Sequence, residues 1–248
     1  MSQKNSNIEE INALEKIAAE YVQPDPGRLV DKKNIAMIAD RVMSWIKGPE
    51  VLEMGFGDDE WTSRIVRKFG HSNIIDAAKI LLEIPKEKYG DAVTTYHSLF
   101  ETFVPDKKFD TVIASFVLEH VEDPVSVLKD TLGWLNDDGK LIAIVPHADS
   151  LHRRLAVTMG LQEKTSDLGG TDIRMGHRRV YDLASFEDDI KAAGYNIEMK
   201  KGFLIKLIPQ SLMANFSDEM LKGLMELGDQ IPIEYTASIG FVCIKAQE

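Results

Sequence analysis

Cysteine is nearly missing from this chain. Cys243 is the single one among 248 residues, which excludes an intrachain disulfide and fits a reducing compartment. Its apolar surroundings, Ile239 to Ile244, mark it as a core residue rather than a nucleophile. Long apolar runs are missing too. Stretches such as Leu141 to Val145 fall far short of the roughly 20 residues that a membrane-crossing helix needs. The opening residues, M-S-Q-K-N-S-N-I-E-E, carry no apolar secretory segment. Basic charge is in deficit: 29 Lys and Arg stand against 40 Asp and Glu, a net charge of -11. That balance argues against nucleic acid as the main partner, because neutralising phosphate takes clustered Lys and Arg. No repeat and no low-complexity segment is present. At 44% hydrophobic and 28% charged residues the composition is globular, and the length suffices for a sizeable core. The expectation is a cytoplasmic protein, a monomer or homodimer, that works away from membranes.

What is present is a strand-helix rhythm. Apolar positions at Ile8, Ile11, Leu14, Ile17, Ala18 and Tyr21 have helical spacing. Pro24-Asp25-Pro26-Gly27 breaks that helix, and a second runs from Leu29 to Ile46. Strands are expected at Val51–Met54, Asn73–Ile75, Ala92–Tyr96, Phe109–Ser115, Lys140–Val145, within Tyr195–Lys206, and at Ser238–Lys245. Helices are expected at Asp59–Phe69, Ala77–Ile84, Pro124–Leu135, Ser185–Ala193 and Ser211–Leu227, with a turn at Asn136–Gly139. Such alternation predicts a doubly wound α/β architecture, a mostly parallel seven-stranded sheet covered on both faces. Residues 147–180 interrupt the rhythm. They are polar, rich in His and Arg, with a helix at Ser150–Met159 and a loop through Gly169-Gly170, and lack a large core of their own. One domain over 1–248 is expected, with a helical cap over 1–48 and a lid over 147–180.

Ligands of such sheets bind beyond the carboxyl ends of the strands. There stands V-L-E-M-G-F-G-D-D-E-W, Val51 to Trp61, with Gly55 and Gly57 between a strand and a helix. Glycine permits the tight turn and lets a ligand approach the backbone. Asp76 ends the next strand, 21 residues after Gly55. Its carboxylate can accept from both hydroxyls of an adenosine ribose, or it can cap the helix that follows. Glu53, Asp58, Asp59 and Glu60 make the turn acidic, although an aspartate there also serves as a helix cap. A pyrophosphate would meet like charge, so a dinucleotide is disfavoured. A cationic adenosyl compound, S-adenosylmethionine, is favoured.

Two further segments complete the pattern: S-L-F-E at Ser98 to Glu101 before P-D-K-K-F-D, and F-D-T-V-I-A-S-F-V-L-E-H-V-E-D-P from Phe109 to Pro124. Together these segments, over about Ile35 to Phe203, resemble the class I S-adenosylmethionine-dependent methyltransferases of the small-molecule branch. The resemblance implies a Rossmann-like methyltransferase fold, S-adenosylmethionine as cofactor and S-adenosylhomocysteine as product. It also implies roles by position. Glu53, Gly55 and Gly57 would hold the methionine end, and Asp76 with Ala77 the ribose. Ser98, Leu99 and Phe100 would flank the adenine; Ser115, Phe116 and His120 would border the sulfonium. Leu99 and Phe100 are equally readable as core, and His120 as a turn residue satisfied by backbone.

The reaction implied is an in-line displacement onto an O, N or C atom of a small metabolite, in which alignment and a dry site do most of the work. Either no base is used or histidine supplies one. The candidates are His147 after the fifth long strand, His152 in S-L-H-R-R-L, and His177 in G-H-R-R-V-Y-D. Arg153 and Arg178 belong to two basic pairs that would recognise an anionic acceptor, or would pair with acids such as Asp149 and Asp182. Tyr21 and the Pro24–Gly27 loop would close the pocket. No His, Cys and carboxylate spacing suggests a metal site. Three other readings stay open: another nucleotide-dependent α/β enzyme, a non-catalytic adenosyl-binding module, and a methyltransferase of RNA or protein.

Overall fold

Strands Phe109–Ser115 (β4) and Leu135–Pro146 (β5) carry the continuous apolar runs Val112–Ala114 and Leu141–Val145, because both faces of each strand are covered there. Successive side chains point to opposite faces. Leu141, Ala143 and Val145 enter one apolar layer with Phe186 and Ile190, while Ile142 and Ile144 enter another with Ile38, Trp61 and Ile65. These observations come from a computed structural model that describes residues 2–23 and 26–246. The expectation for the Pro24–Gly27 loop falls partly outside them, at Pro24 and Asp25, as does the side chain of Tyr21.

The sheet contains Val51–Met54 (β1), Ser72–Asp76 (β2), Val93–His97 (β3), β4, β5, Tyr195–Phe203 (β6) and Ser238–Lys245 (β7). Its order is β3-β2-β1-β4-β5-β7-β6. β1 through β5 are parallel, and β7 runs antiparallel to both β5 and β6. Helices Ser2–Tyr21 (α1) and Pro26–Val42 (α2) precede the sheet. Glu60–Phe69 (α3), Lys79–Tyr89 (α4), Pro124–Trp134 (α5), Leu183–Ala192 (α8) and Asp218–Gly228 (α9) follow strands, and Leu151–Thr158 (α6) and Gly170–Arg174 (α7) lie in the 147–180 segment. The doubly wound, mostly parallel, seven-stranded expectation is met. Cys243 is fully buried in β7, and burial pushes its thiol pKa up, as befits a core residue.

Several boundaries differ from the sequence reading, each for a local reason. α4 starts at Lys79 rather than Ala77, because Asp76 Oδ1 accepts from Ala78 N at 2.7 Å and holds the intervening residues in a turn. Asn136–Gly139 does not precede β5. It is an excursion inside it, where pairing jumps from Phe109–Leu135 to Thr111–Lys140. The helix expected over Ser211–Leu227 divides into a 3-10 turn at Gln210–Met213 and α9, because the Ser217 hydroxyl accepts from Met220 N at 3.2 Å and starts a new helix. The stretch after Gly169 is the short helix α7.

Phe186 of α8 stacks on Phe241 of β7 with ring centroids 4.4 Å apart, and both are fully buried. Phe186→Ala should therefore cost about 3–5 kcal/mol. In urea the midpoint should fall with the slope unchanged. A shift under about 1 kcal/mol would show that α8 repacks freely.

Candidate active site

The parallel strands deliver their last residues to one edge of the sheet, and the loop after β1 is built there by short-range bonds. Gly55 has φ +76°, and a Cβ on it would lie 2.8 Å from Val117 Cγ1. A side chain is thus excluded by backbone conformation and by space. Gly55 N donates to the Ile75 carbonyl at 2.8 Å, and Gly57 is exposed further along the loop. Asp76 ties this loop to the next. Its Oδ2 accepts from Phe56 N at 2.8 Å while Oδ1 holds Ala78 N. Burial raises its pKa against those two N–H bonds, and each oxygen keeps a further lone pair for a ligand hydroxyl. The neighbouring Ala77 is buried, and its carbonyl accepts from His97 Nε2 at 2.9 Å.

Glu53 is 2% exposed, and the Thr62 hydroxyl donates to its Oε2 at 2.5 Å. Burial pushes the Glu53 pKa well above the usual range, opposed by that hydroxyl and reinforced by Asp58, Asp59 and Asp76. The acidity of the turn is not uniform. Asp59 accepts from the Tyr89 hydroxyl at 2.8 Å and pairs with Lys88, and Glu60 pairs with Arg64 at 2.7 Å. Asp58 serves the helix start, accepting from Glu60 N at 3.1 Å. Glu53 is the carboxyl of the four that stands buried without a cationic partner. Beside β3, Ser98 N donates to the Asp76 carbonyl at 3.1 Å, Leu99 is buried, and Phe100 packs half-buried against the core.

Beyond β4 and β5 several buried polar atoms lack any partner. They are Ser115 Oγ, Glu119 Oε2, His147 Nε2 and His152 Nδ1, together with Trp61 Nε1 at the first turn of α3 and both side-chain polar atoms of Asn34 on α2. Buried polar groups are nearly always hydrogen-bonded, so a cluster of exceptions marks a place built for a ligand. Phe116, next to Ser115, has φ +56°, an uncommon conformation for a bulky residue and one that clusters at functional sites. His147 is fixed from behind, since its Nδ1 lies 3.0 Å from the Thr236 carbonyl and donates to it, and its backbone N donates to Ala237. Ser115, Trp61 and Asn34 thus carry unpartnered polar atoms, and Asp76 and Glu53 carboxyls, on β4, α3, α2, β2 and β1.

The 147–180 segment is laced onto the turn after β4. Arg178 N donates to the Glu119 carbonyl at 2.7 Å and Arg178 Nε to His120 at 2.8 Å. Arg179 donates to the carbonyls of Leu118 and Glu122 at 3.0 and 2.9 Å, and to Val121. Arg153, 7% exposed, pairs with Asp172 at 2.6 Å and donates to the Thr165 and Asp167 carbonyls. The Arg153 guanidinium is therefore engaged within the protein, while Arg178 is exposed, with Nη2 3.5 Å from Glu10. The alternative pairing with nearby acids is seen for Arg154, which lies 3.6 Å from Asp149.

A family model described as a methyltransferase domain matches residues 18–200. The chain belongs to that family: it is an S-adenosylmethionine-dependent methyltransferase. The ubiquinone biosynthesis O-methyltransferase of Actinobacillus pleuropneumoniae serotype 5b (strain L20) is 26% identical over 150 residues, 55% of this chain and 64% of that relative. The match thus spans less than two thirds of the relative. Two solved structures share the fold. The N-methyltransferase NodS from Bradyrhizobium japonicum WM9 superposes with a TM-score of 0.61 at 11% identity, covering 95% of this chain and 100% of that one. The Burkholderia thailandensis 1,6-didemethyltoxoflavin-N1-methyltransferase gives 0.58 at 13% identity, covering 89% and 83%. Among the described residues, no helix of the methyltransferase is long and apolar enough to cross a membrane.

Asn34, Trp61, Thr62 and Asp172 were not among the residues singled out by sequence. Asn34 follows Asp31-Lys32-Lys33 and Trp61 follows Asp58-Asp59-Glu60, and nothing in those segments signals a buried, unpaired polar atom. Glu53 carries a measurable consequence for the methyltransferase. Its raised pKa lets Glu53 keep its proton to a higher pH than a free glutamate does. A cation bound against it lowers that pKa and expels the proton, so cofactor affinity should rise with pH and level off above the raised pKa. Calorimetry in two buffers of different ionisation heat should show proton release that Glu53→Gln abolishes. No release in the unsubstituted protein would place the cofactor's cationic end elsewhere. Asp76→Ala should weaken S-adenosylhomocysteine binding by at least tenfold, roughly 1.4 kcal/mol; unchanged affinity would remove Asp76 from the site.

Proposed function

We propose that this methyltransferase acts on an oxygen, nitrogen or carbon atom of a small-molecule acceptor, held between the carboxyl edge of the sheet and the 147–180 lid. When bound, the cofactor supplies a methyl group already activated on a sulfonium. Glu53 balances the positive charge at its methionine end, Asp76 receives the ribose hydroxyls, and Leu99 and Phe100 flank the adenine. Ser115 and Phe116 close the sulfonium side. The family membership and the orphaned polar atoms at this edge support the reading. So do the similarities to a ubiquinone biosynthesis O-methyltransferase and to a 1,6-didemethyltoxoflavin-N1-methyltransferase, enzymes named for small molecules.

The single observation that carries the acceptor side is the His147 ring. The Thr236 carbonyl takes its Nδ1–H, so Nε2 carries the lone pair, and Nε2 is buried without a partner. Burial holds the ring pKa below the usual histidine value, with the Thr236 bond, Asp149 and Asp182 pulling it up and Arg154 pushing it down. The ring is therefore neutral at pH 7 and available to take a proton from an acceptor hydroxyl or ammonium. His152 suits that task less well. Burial, with Lys206 and Arg153, lowers its pKa to about 2, so it is a weak base suited to contact. His177 is committed to Asp172, its Nδ1 lying 3.0 Å from Oδ1.

Methyl-labelled cofactor incubated with the enzyme and separate small-molecule, RNA and protein fractions should label the small-molecule fraction; label in RNA or protein instead would overturn the reading. His147→Asn should lower kcat by about 10²–10⁴ with S-adenosylhomocysteine affinity unchanged. A base works when deprotonated, so kcat/KM should climb with pH through a midpoint below about 6.5 and be flat at pH 7. Persistence of that acid limb in the variant would assign it to another group.

A further inference from the structure

Glu119, His120 and His177 form a cluster that methyl transfer as described leaves unused. One ligand atom from each lies within 4.8 Å of the others. Glu119 and His120 stand on the turn after β4, and His177 comes from the lid, 57 residues further on (177 less 120). The lacing by Arg178 and Arg179 on either side holds the two segments together. Gly176 makes the close approach possible. Its φ is +77°, and a Cβ there would lie 3.0 Å from Ile17 Cδ1 and 4.0 Å from His120 Nδ1.

The cluster is organised from outside and unsatisfied inside. Asp172 Oδ1 lies 3.0 Å from His177 Nδ1, which fixes the tautomer and leaves the lone pair on Nε2. Asp172 is itself held by Arg153 at 2.6 Å and Gly169 N at 2.7 Å. Burial would raise Asp172, but the His177 bond and the Arg153 charge outweigh it and keep the carboxylate ionised far below the usual range. The two rings meet edge to face with centroids 4.8 Å apart. Glu119, 1% exposed, has Oε2 buried with no partner. An imidazole oriented by a carboxylate, as His177 is by Asp172, is the supporting arrangement that metal ligands have.

We propose that Glu119, His120 and His177 bind a divalent metal ion of the zinc class, with at least one coordination position left open. Two imidazoles and one carboxylate suit Zn²⁺, Co²⁺ or Fe²⁺ rather than Mg²⁺ or Ca²⁺, which prefer all-oxygen sites. Three protein ligands with an open position is the pattern of catalytic sites, not structural ones. The use of the open position, to hold an acceptor oxygen and ease loss of its proton, rests on the methyl-transfer reading; the binding of the ion does not. Histidine and glutamate this far apart in sequence have no recognisable ligand spacing, so the sequence analysis found no metal site.

Tag-free, chelator-treated protein should be titrated with Zn²⁺ in a calorimeter and with Co²⁺ by visible absorbance, with S-adenosylhomocysteine binding measured in parallel. One equivalent of metal should bind. Glu119→Gln and His177→Ala should each weaken binding by more than the 10–100-fold typical of an outer partner, and Asp172→Asn by about 10–100-fold, all three keeping S-adenosylhomocysteine affinity. No metal uptake by the unsubstituted protein, or uptake unchanged in His177→Ala, overturns the proposal. Should Glu119→Gln fail to fold, His177→Ala decides, because that ring sits at the lid and not in the sheet. Metal binding without S-adenosylhomocysteine binding would instead sink the cofactor assignment and leave the metal site standing.

Discussion

Covering both faces of the central strands is the constraint from which the rest follows. β1, β4 and β5 are wrapped by α2, α3 and α9 on one side and by α5 and α8 on the other, so no ligand can reach their flanks. Only the ends of parallel strands are open to a ligand, and there the backbone turns away before every polar group is satisfied. Glu53, Asp76, Ser115 and His147 all lie at or just beyond one carboxyl edge. The site is thus a by-product of the architecture, tuned by what each strand places at its end.

The second determinant is the way the 147–180 segment is attached. Arginine guanidinium groups that could have met an acceptor are directed at backbone carbonyls of the turn after β4 and at Asp172. Five fixed donors on a planar head make arginine suited to such multiple acceptors. The result is a segment whose inner residues are fixed by hydrogen bonds to the turn after β4. Its cost is that the positive charge in this part of an acidic protein is spent on structure. The acidic turn after β1 follows the same economy, since Asp59 and Glu60 are paired and only Glu53 stands buried beside a hydroxyl.

Much of this was legible in the sequence. The strands Val51–Met54, Phe109–Ser115 and Ser238–Lys245 have the bounds that their apolar runs suggest. Boundaries slipped where a side chain captured a backbone N–H, as Asp76 does at α4 and Ser217 at α9. Asp76 holds the backbone N–H groups of Phe56 and Ala78 rather than capping α4, and its carboxylate keeps further lone pairs. Within the site, residues at strand ends were found by position. Asn34, Trp61 and Asp172 were not, since nothing local distinguishes them from neighbours on their helices.

The sequence by itself determined the α/β alternation, the glycine turn, the acidic residue at the end of the second strand and, through its motifs, the methyltransferase family. These are properties of contiguous segments, where periodicity, turn chemistry and spacing act over a few residues. Tertiary structure alone decided which carboxylates face the site unpaired, which histidine keeps a free lone pair, and that Glu119 and His120 meet His177. Charge pairing, tautomer and ligand clustering depend on distances across segments far apart in the chain. A buried group's proton affinity follows from that surrounding, not from the residue's name.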